Sequence, residues 1–297
     1  MFLPTCTRKT SALIAQALCT GAIATVVAAA PSAAATTPAA VTNVACSPTA
    51  LAAAITAANG SGGGDLALAP GCVYTLTTPL PAITTTITIN ARRSTLTRAT
   101  TAPAFGILAV NPGGNLDLDR ATITGGDAPD FGGGIANRGV LKVTNSTIRD
   151  NHANFSGGIG GVTGTTTTIE DSNIRSNTAN INGGGVANDG TMTITRSRII
   201  GNTAVGGVGG GAANDGNLTI SRTIVNENTA QRAGGVANVG GGTTSITSSN
   251  INTNTATTAP GGVLNTGGTV TVTTSTIRNN QPTNCTGSDI AIPNCTN

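Results

Sequence analysis

Six glycine doublets, each followed by an alternating stretch and then by an aliphatic-x-x-Asn motif, divide residues 133–280 into regular units. The second glycines of successive doublets lie 24 to 27 residues apart. A unit of this length cannot bury its apolar side alone and must stack on its neighbours. The pattern therefore predicts a solenoid. The doublets are Gly133–Gly134, Gly157–Gly158, Gly184–Gly185, Gly210–Gly211, Gly234–Gly235 and Gly261–Gly262.

Within each unit, period-two alternation in short runs broken by glycine indicates strands and turns rather than helices. Three short strands per turn of about 25 residues predict an all-β fold, a right-handed single-stranded parallel β-helix. Two residues in each unit are predicted to face inwards. These pairs are Leu141/Val143, Thr167/Ile169, Met192/Ile194, Leu218/Ile220, Thr244/Ile246 and Val270/Val272.

One asparagine closes each unit, and stacked amides can each donate to the carbonyl of the next, so a structural ladder is expected. The predicted rungs are Asn151, Asn177, Asn202, Asn228, Asn254 and Asn280, the last of which is expected to end the ladder. A second asparagine column follows the doublets and is interrupted by Gly161. It contains Asn137, Asn188, Asn214, Asn238 and Asn265.

The combination of Gly-Gly-aliphatic with Ile-x-x-Asn resembles the repeat of polymorphic outer membrane proteins. That repeat occurs in chlamydial adhesins and in many secreted actinobacterial β-helix proteins. Here it reads Gly134-Ile135 and Gly185-Val186, for example, and it covers roughly half of the chain. The segment from Cys46 to Cys72 also resembles the N-terminal cap of the actinobacterial group. The resemblance implies a pectin lyase-like fold and a secreted or wall-associated protein.

The N-terminus has the pattern of a secretory signal peptide. Arg8 and Lys9 precede an apolar run from Ala12 to Ala30, and small residues end at Ala35, where cleavage is expected. A membrane anchor is the alternative, but no second apolar span or charged stop-transfer flank follows. Four domains or segments are expected: a signal peptide (1–35), an N-terminal cap (36–80), a parallel β-helix (81–282) and a C-terminal disulfide cap (283–297).

Four cysteines remain after cleavage, in two close pairs at opposite ends of the chain. Three pairings are possible in principle. Because near neighbours close short loops, Cys46–Cys72 and Cys285–Cys295 are expected. Zinc binding is the alternative, but the only histidine, His152, lies in neither group.

The N-terminal cap is expected to contain a short helix. Ser47 suits the N-cap and Pro48 the first helical position, while Gly60 suits the end. Leu51 and Ile55 then fall on one face.

Composition argues against several function classes. Cleavage removes only two of the 15 basic residues and none of the 12 acids, so the net charge is too small to steer nucleic acid or anionic lipid. Tryptophan is absent, and Tyr74 is the only tyrosine, so stacking platforms for bases or sugars are few. No cofactor or metal ion is expected, and neither nucleic acid nor an inserted membrane segment is expected as a partner.

Enzymes of the pectate-lyase type need clustered carboxylates. Asp117 and Asp119, with Arg120, form the nearest candidate, since both acids fall on one face of a strand. The neighbouring coils place other residue types in the same columns, and no column is expected to stack acid upon acid. A solvated surface pair is the simpler interpretation.

Hydroxyl residues occupy successive outward positions, roughly 4.8 Å apart between coils and about 6.7 Å apart along a strand. Such arrays occur in ice-binding β-helices, although threonine also favours strands in general. The candidate array is Thr193, Thr195, Thr219, Ser221, Ser245, Thr247, Thr271 and Thr273.

The sequence thus favours a secreted, monomeric, non-catalytic β-helix protein that binds a cell-wall glycan or another surface protein, as in adhesion. A polysaccharide lyase or hydrolase is the alternative, and an ice-binding protein is the third possibility.

Overall fold

The computed structural model describes residues 40–295. The predicted signal peptide lies outside these residues. The described chain forms parallel sheets that wind into a β-helix, with a single short helix near the N-terminal end of the described part. This arrangement confirms the predicted all-β parallel β-helix.

Four sheets run along the solenoid, and they are numbered here in the order in which each regular coil visits them. Sheet 1 contains Thr42–Val44, Gly63–Leu68, Thr86–Asn90, Asn115–Asp119, Val140–Thr144, Thr166–Glu170, Thr191–Thr195, Asn217–Ser221, Thr243–Thr247 and Thr269–Thr273. Sheet 2 contains Val73–Leu76, Thr95–Arg98, Thr122–Thr124, Thr147–Arg149, Asn173–Arg175, Arg198–Ile200, Ile224–Asn226, Asn250–Asn252 and Thr276–Arg278.

The remaining two sheets complete each coil. Sheet 3 contains Asp127–Phe131, His152–Phe155, Thr178–Ala179, Thr203–Val208, Thr229–Arg232 and Thr255–Thr258. Sheet 4 contains Leu108–Val110, Ile135–Asn137, Ile159–Gly161, Val186–Asn188, Ala212–Asn214, Val236–Asn238 and Val263–Asn265.

The prediction of three strands per turn is wrong, because each regular coil has four. Sheet 3 was not predicted from the sequence because its strands are short and contribute only alanine to the interior. The buried alanines lie two residues after the coil asparagine in most coils, as in Asn202-Thr203-Ala204. They are Ala128, Ala153, Ala179, Ala204, Ala230 and Ala256. Small side chains suit this narrow side of the coil, where longer ones would not pack.

The interior is a continuous stack of aliphatic side chains. The predicted inward pairs of sheet 1 are in register from coil to coil, with Leu141 opposite Thr167 and Val143 opposite Ile169. Both leucine and valine are fully buried. Each coil thus buries its apolar residues against the coils above and below, as a solenoid requires.

The helix Pro48–Gly60 forms as the sequence predicts. Ser47 is the N-cap, and its side chain accepts a hydrogen bond from the backbone N–H of Ala50. Leu51 and Ile55 are fully buried against the first coils. Sheets 1 and 2 already begin within the segment predicted as the N-terminal cap, because Gly63–Leu68 pairs with Thr86–Asn90.

Both expected disulfides are confirmed. Cys46 is bonded to Cys72 beside the helix, and Cys285 is bonded to Cys295 in the C-terminal segment. Each bridge therefore ties down one end of the described solenoid.

Candidate functional site

The predicted acidic candidates lie on sheet 1 but do not form a catalytic cluster. Asp117 is opposite Lys142, and Asp119 is opposite Thr144, in the register of adjacent strands. Asp119 also accepts a hydrogen bond from Arg120 at 2.7 Å. The three side chains therefore lie on an outward face among unlike neighbours.

The electrostatics of Asp119 suit an ion-pair partner better than a general acid. Partial burial raises the pKa of this carboxyl, but hydrogen bonds from Asn145, Arg120 and Thr144 together outweigh it, so the pKa lies below its ordinary value. A general acid at neutral pH needs a raised pKa instead.

The coil asparagines are joined into a continuous buried column. The side-chain amide of Asn177, for example, donates to Oδ1 of Asn202 at 3.0 Å, and its backbone N–H donates to the same oxygen. The amide also donates to the carbonyl of Ile148 in the preceding coil. Left-handed backbone angles fall on the preceding residue, as at Ser176, and not on the asparagine itself. These bonds give the column a structural role.

The second asparagine column lies at the end of sheet 4 and explains two polar residues predicted to face inwards. At the Gly161 gap, Asn137 donates instead to Oγ1 of Thr167 at 3.0 Å. Farther along, Thr244 donates to Oδ1 of Asn238 at 2.8 Å. Both threonines are fully buried, so these bonds satisfy their hydroxyl groups, and the hydroxyl of Thr244 also accepts from the side-chain amide of Asn214.

The hydroxyl-rich face of sheet 1 is wider than the sequence suggested, because a third outward column stands beside the two predicted ones. Its members are in register and are Thr166, Thr191, Asn217, Thr243 and Thr269. The predicted array from Thr193 to Thr273 lies next to it on the same face. Toward the N-terminal side the array is broken by Glu170 and Lys142, which form an ion pair at 4.0 Å.

A groove of about 540 Å³ runs along the outer side of sheet 4. The outward residues of this sheet are small in every coil but the last, so the floor of the groove lies low. In register they are Ala109, Ala136, Gly160, Ala187, Ala213, Ala237 and Leu264. At the C-terminal end, Leu264 and Ala237 pack with Ala233 in a small apolar cluster outside the main core.

Two aromatic rings line one side of the groove, at the ends of sheet 3 strands. Phe155 is 40% exposed. The ring of Phe131 lies on Gly160, where a Cβ atom would be 2.7 Å from a ring carbon. The guanidinium of Arg138 lies 4.4 Å from the centroid of the same ring, in a cation–π contact. Glycine at position 160 therefore makes room for an aromatic platform.

Two carboxylates line the opposite side, in the turns that follow sheet 4. Asn188 and Asn214 are in register, so Asp189 and Asp215 follow them on adjacent coils, about 4.8 Å apart along the solenoid. The expectation that no column stacks acid upon acid is therefore wrong. Gly240 makes room for the second carboxylate, since a Cβ atom there would collide with Oδ1 of Asp215.

The charge of Asp215 acts on the carboxyl of Asp189. Partial burial raises the pKa of Asp189, and the negative charge of Asp215 raises it further. Among residues 40–295, neither side chain forms an ion pair or accepts a hydrogen bond from another side chain. Asp130, on the aromatic side of the groove, adds a third carboxylate.

Sequence reasoning missed this groove, although a signal was present. The motif Asn-Asp-Gly occurs twice, at 188–190 and 214–216, directly after members of the second asparagine column. Aligning the residue after that column in all six units would have placed the acids on adjacent coils. The position of Phe131 and Phe155 on the same groove required the fold of the connecting loops.

His152 belongs to a separate polar cluster on sheet 3. Its Nδ1 lies 2.8 Å from Oδ1 of Asp127, and its Nε2 lies 3.1 Å from Oδ1 of Asn180. Asn180 in turn donates to Asn154. Because both ring nitrogens face acceptors, the doubly protonated imidazolium is favoured, and the hydrogen bond to Asp127 raises the pKa of His152.

Within residues 40–295, no group of three or more His, Cys, Asp or Glu side chains is arranged to hold a metal ion. The one helix in that range, Pro48–Gly60, is too short to span a lipid bilayer. No protein-family model, curated protein or solved structure matches the chain.

Proposed function

We propose that this chain is a secreted, surface-associated β-helix protein of the actinobacterial type, with polymorphic outer membrane protein-like repeats, that binds a glycan in the groove along sheet 4. The binding is non-catalytic and serves adhesion to a cell wall or to another surface. The protein acts as a monomer, and display of several copies would raise its avidity for a repetitive glycan.

The observation that carries this proposal is an aromatic pair, the exposed Phe155 and the half-buried Phe131, over a floor of small residues. Aromatic rings offer a flat apolar face, and the floor residues Ala187 and Ala213 leave room for a bulky chain to lie in the groove. The groove follows the stack of coils, so it is open along its length as an extended polymer requires.

Two features support export. The disulfides Cys46–Cys72 and Cys285–Cys295 fit an oxidising compartment, where such bonds persist. The basic flank, apolar run and small residues of positions 1–35 fit a cleaved signal peptide.

A polysaccharide-cleaving enzyme is the second candidate, and the stacked pair Asp189 and Asp215 favours it. Burial and the charge of Asp215 raise the pKa of Asp189, and a carboxyl with a raised pKa is what glycosidases use as their general acid. The two acids lie in one column on the same side of the groove, however, whereas glycosidases place their acids on either side of the scissile bond. Binding without cleavage is therefore the first proposal.

The test compares binding and cleavage in the same protein. The disulfide-bonded mature chain is applied to an array of cell-wall and plant glycans, and the products are analysed for reducing ends and unsaturated sugars. The double variant Phe131→Ala/Phe155→Ala should lose retention on glycans at least about tenfold, a loss of about 1.4 kcal/mol. The control Val73→Ala removes an exposed apolar side chain from sheet 2 and should bind as the parent does.

Glycan retention that is unchanged in the phenylalanine double variant would refute binding in the groove. Release of sugars that is lost in Asp189→Asn would replace the binding proposal with the enzyme. Release that persists in that variant but is lost in Asp117→Asn/Asp119→Asn would assign catalysis to the candidates on sheet 1.

A further inference from the structure

The groove has a charge balance unlike that of the whole chain. Three carboxylates, Asp130, Asp189 and Asp215, line it together with one cation, Arg138. The chain as a whole carries a small positive formal charge. A ligand in the groove therefore meets a local negative field within a nearly neutral protein.

From this charge complementarity we infer that the groove binds a glycan whose sugar rings carry protonated amines. The inference rests on the proposed function and names the ligand class of the same site. Each ammonium group supplies three hydrogen-bond donors and a positive charge, which match the carboxylates of Asp189 and Asp215. The sugar rings would stack on Phe155 and pack against the exposed part of Phe131, one face of which Arg138 covers.

The arrangement of charges along the groove supports this assignment. Arg138 lies over the ring of Phe131, two coils before Asp189 in the register of sheet 4 and so about 10 Å away along the solenoid. No cationic side chain of the described residues forms an ion pair with Asp189 or Asp215. A bound ammonium would offset the repulsion between the two stacked carboxylates, which an uncharged ligand would leave in place.

A basic peptide would meet the same charges but would find fewer partners for its backbone. Peptides that bind β-structure commonly pair with a free sheet edge. The central strands of sheet 4 are paired on both sides, as Val186–Asn188 is with Ile159–Gly161 and Ala212–Asn214. The peptide N–H and C=O groups would therefore lack a ladder in the middle of the groove, whereas a glycan has no such backbone requirement.

The test measures affinity by calorimetry with three probes of matched length: a β-1,4-glucosamine hexamer, its fully N-acetylated form, and hexalysine. The measurements are made at about pH 6, where aliphatic amines are charged. The glucosamine hexamer should bind at least about tenfold more tightly than its N-acetylated form. Its affinity should fall steeply with added salt.

Variants assign the effect to the groove. Asp189→Asn/Asp215→Asn should lower the affinity for the glucosamine hexamer about tenfold and leave the affinity for the N-acetylated hexamer unchanged. The matched control Asp150→Asn/Asp171→Asn makes the same change in net charge at two exposed corner residues outside the groove and should bind as the parent does. Asp215→Asn alone repeats the test if the double variant does not fold.

Each outcome separates the inference from the proposed function. Equal affinity for the two hexamers, or an unchanged affinity in the double variant, would overturn the amine assignment while glycan binding stands. Tighter binding of hexalysine than of the glucosamine hexamer would overturn it in favour of a peptide ligand. The proposed function would be refuted as well if neither hexamer bound and if Phe131→Ala/Phe155→Ala showed no loss of retention on any glycan.

Discussion

The side-chain amide of Asn280 donates to Oδ1 of Asn284 at 3.0 Å, and the backbone N–H of Asn280 donates to the same oxygen. Asn280 is therefore not the last rung of the ladder, as the repeat pattern had suggested. Asn284 lies four residues later in the C-terminal segment and takes the place of a further coil. The ladder is thus continued by a residue that belongs to no repeat.

This continuation changes what substitutions in the ladder should do. Asn202→Ala should lower the free energy of unfolding by about 1–3 kcal/mol, because it strands buried partners on both sides. Asn280→Ala should cost a similar amount, since its amide also has partners on both sides. Asn284→Ala should destabilise too, because it leaves the donors of Asn280 without this acceptor.

Urea denaturation of the three variants checks this prediction, with Asn252→Ala, which lies outside the column, as the control. A cost at Asn280 far below that at Asn202 would mean that Asn284 does not act as a rung.

The second prediction concerns Asp189. The pKa of Asp189 is raised in the folded state, which means that folding disfavours its ionised carboxyl. The ionised carboxyl therefore lowers the free energy of unfolding at a pH above the folded pKa. This destabilisation disappears as the pH falls through the folded pKa and the carboxyl becomes protonated. Asp189→Asn should therefore raise the melting temperature slightly at pH 7, by an amount equivalent to about 0.5 kcal/mol after allowance for solvent screening. The difference should vanish at about pH 3, where the parent is protonated.

Calorimetric melting of the parent and of Asp189→Asn across this range is the measurement. Asp150→Asn serves as the control, because Asp150 is paired with Arg149 and should show no stabilisation when neutralised. A lower melting temperature for Asp189→Asn at pH 7 would contradict the repulsion between the stacked acids.

The third prediction concerns His152, whose pKa is raised chiefly by its hydrogen bond to Asp127. The stabilisation from this pair is fully present below the unfolded pKa of about 6.5 and is lost as the pH rises through the folded pKa. His152→Gln should therefore be less stable than the parent at acidic pH by at most about 1 kcal/mol. The two should converge at alkaline pH.

Melting curves between about pH 5 and pH 9 follow this convergence, and proton NMR of the single imidazole gives its titration directly. A titration below the ordinary histidine value would show that the cluster favours the neutral ring.

The fourth prediction concerns the two disulfides, which close loops of sequence separation 26 and 10. Removing a disulfide should lower the free energy of unfolding, and loop entropy makes this loss larger for the longer loop. The upper values are about 3–4 kcal/mol for Cys46–Cys72 and about 2–3 kcal/mol for Cys285–Cys295. Because each coil is stabilised mainly by its neighbouring coils, removing one disulfide should cause fraying first at the end of the solenoid that this disulfide closes.

Hydrogen exchange of Cys46→Ser/Cys72→Ser and of Cys285→Ser/Cys295→Ser locates the fraying. Faster exchange should appear near the changed end and leave the central coils protected. Uniform loss of protection along the whole solenoid would contradict end-capping.

The sequence alone determined the stacked architecture, since the repeated doublets and coil asparagines admit one kind of solution. A 25-residue unit with alternating Leu141 and Val143 has to pair with its neighbours in register, and cysteine spacing identified both bridges. The short helix could also be predicted from the local sequence, because Ser47 and Pro48 mark its start. These features follow from the spacing of repeated residues and from the chemistry of residues that are near neighbours in the chain, and both can be read directly from a sequence.

Only the tertiary structure decided what the repeats bring together. Phe131 and Asp189 are 58 positions apart in sequence and belong to different units, yet winding places both on one groove. Sheet 3, whose interior residue is a single alanine per coil such as Ala204, carries too weak an apolar pattern to be recognised beforehand. Irregular loops and the C-terminal segment, which set Phe131 on Gly160 and Asn284 below Asn280, follow no period, because their positions depend on the surface against which they pack.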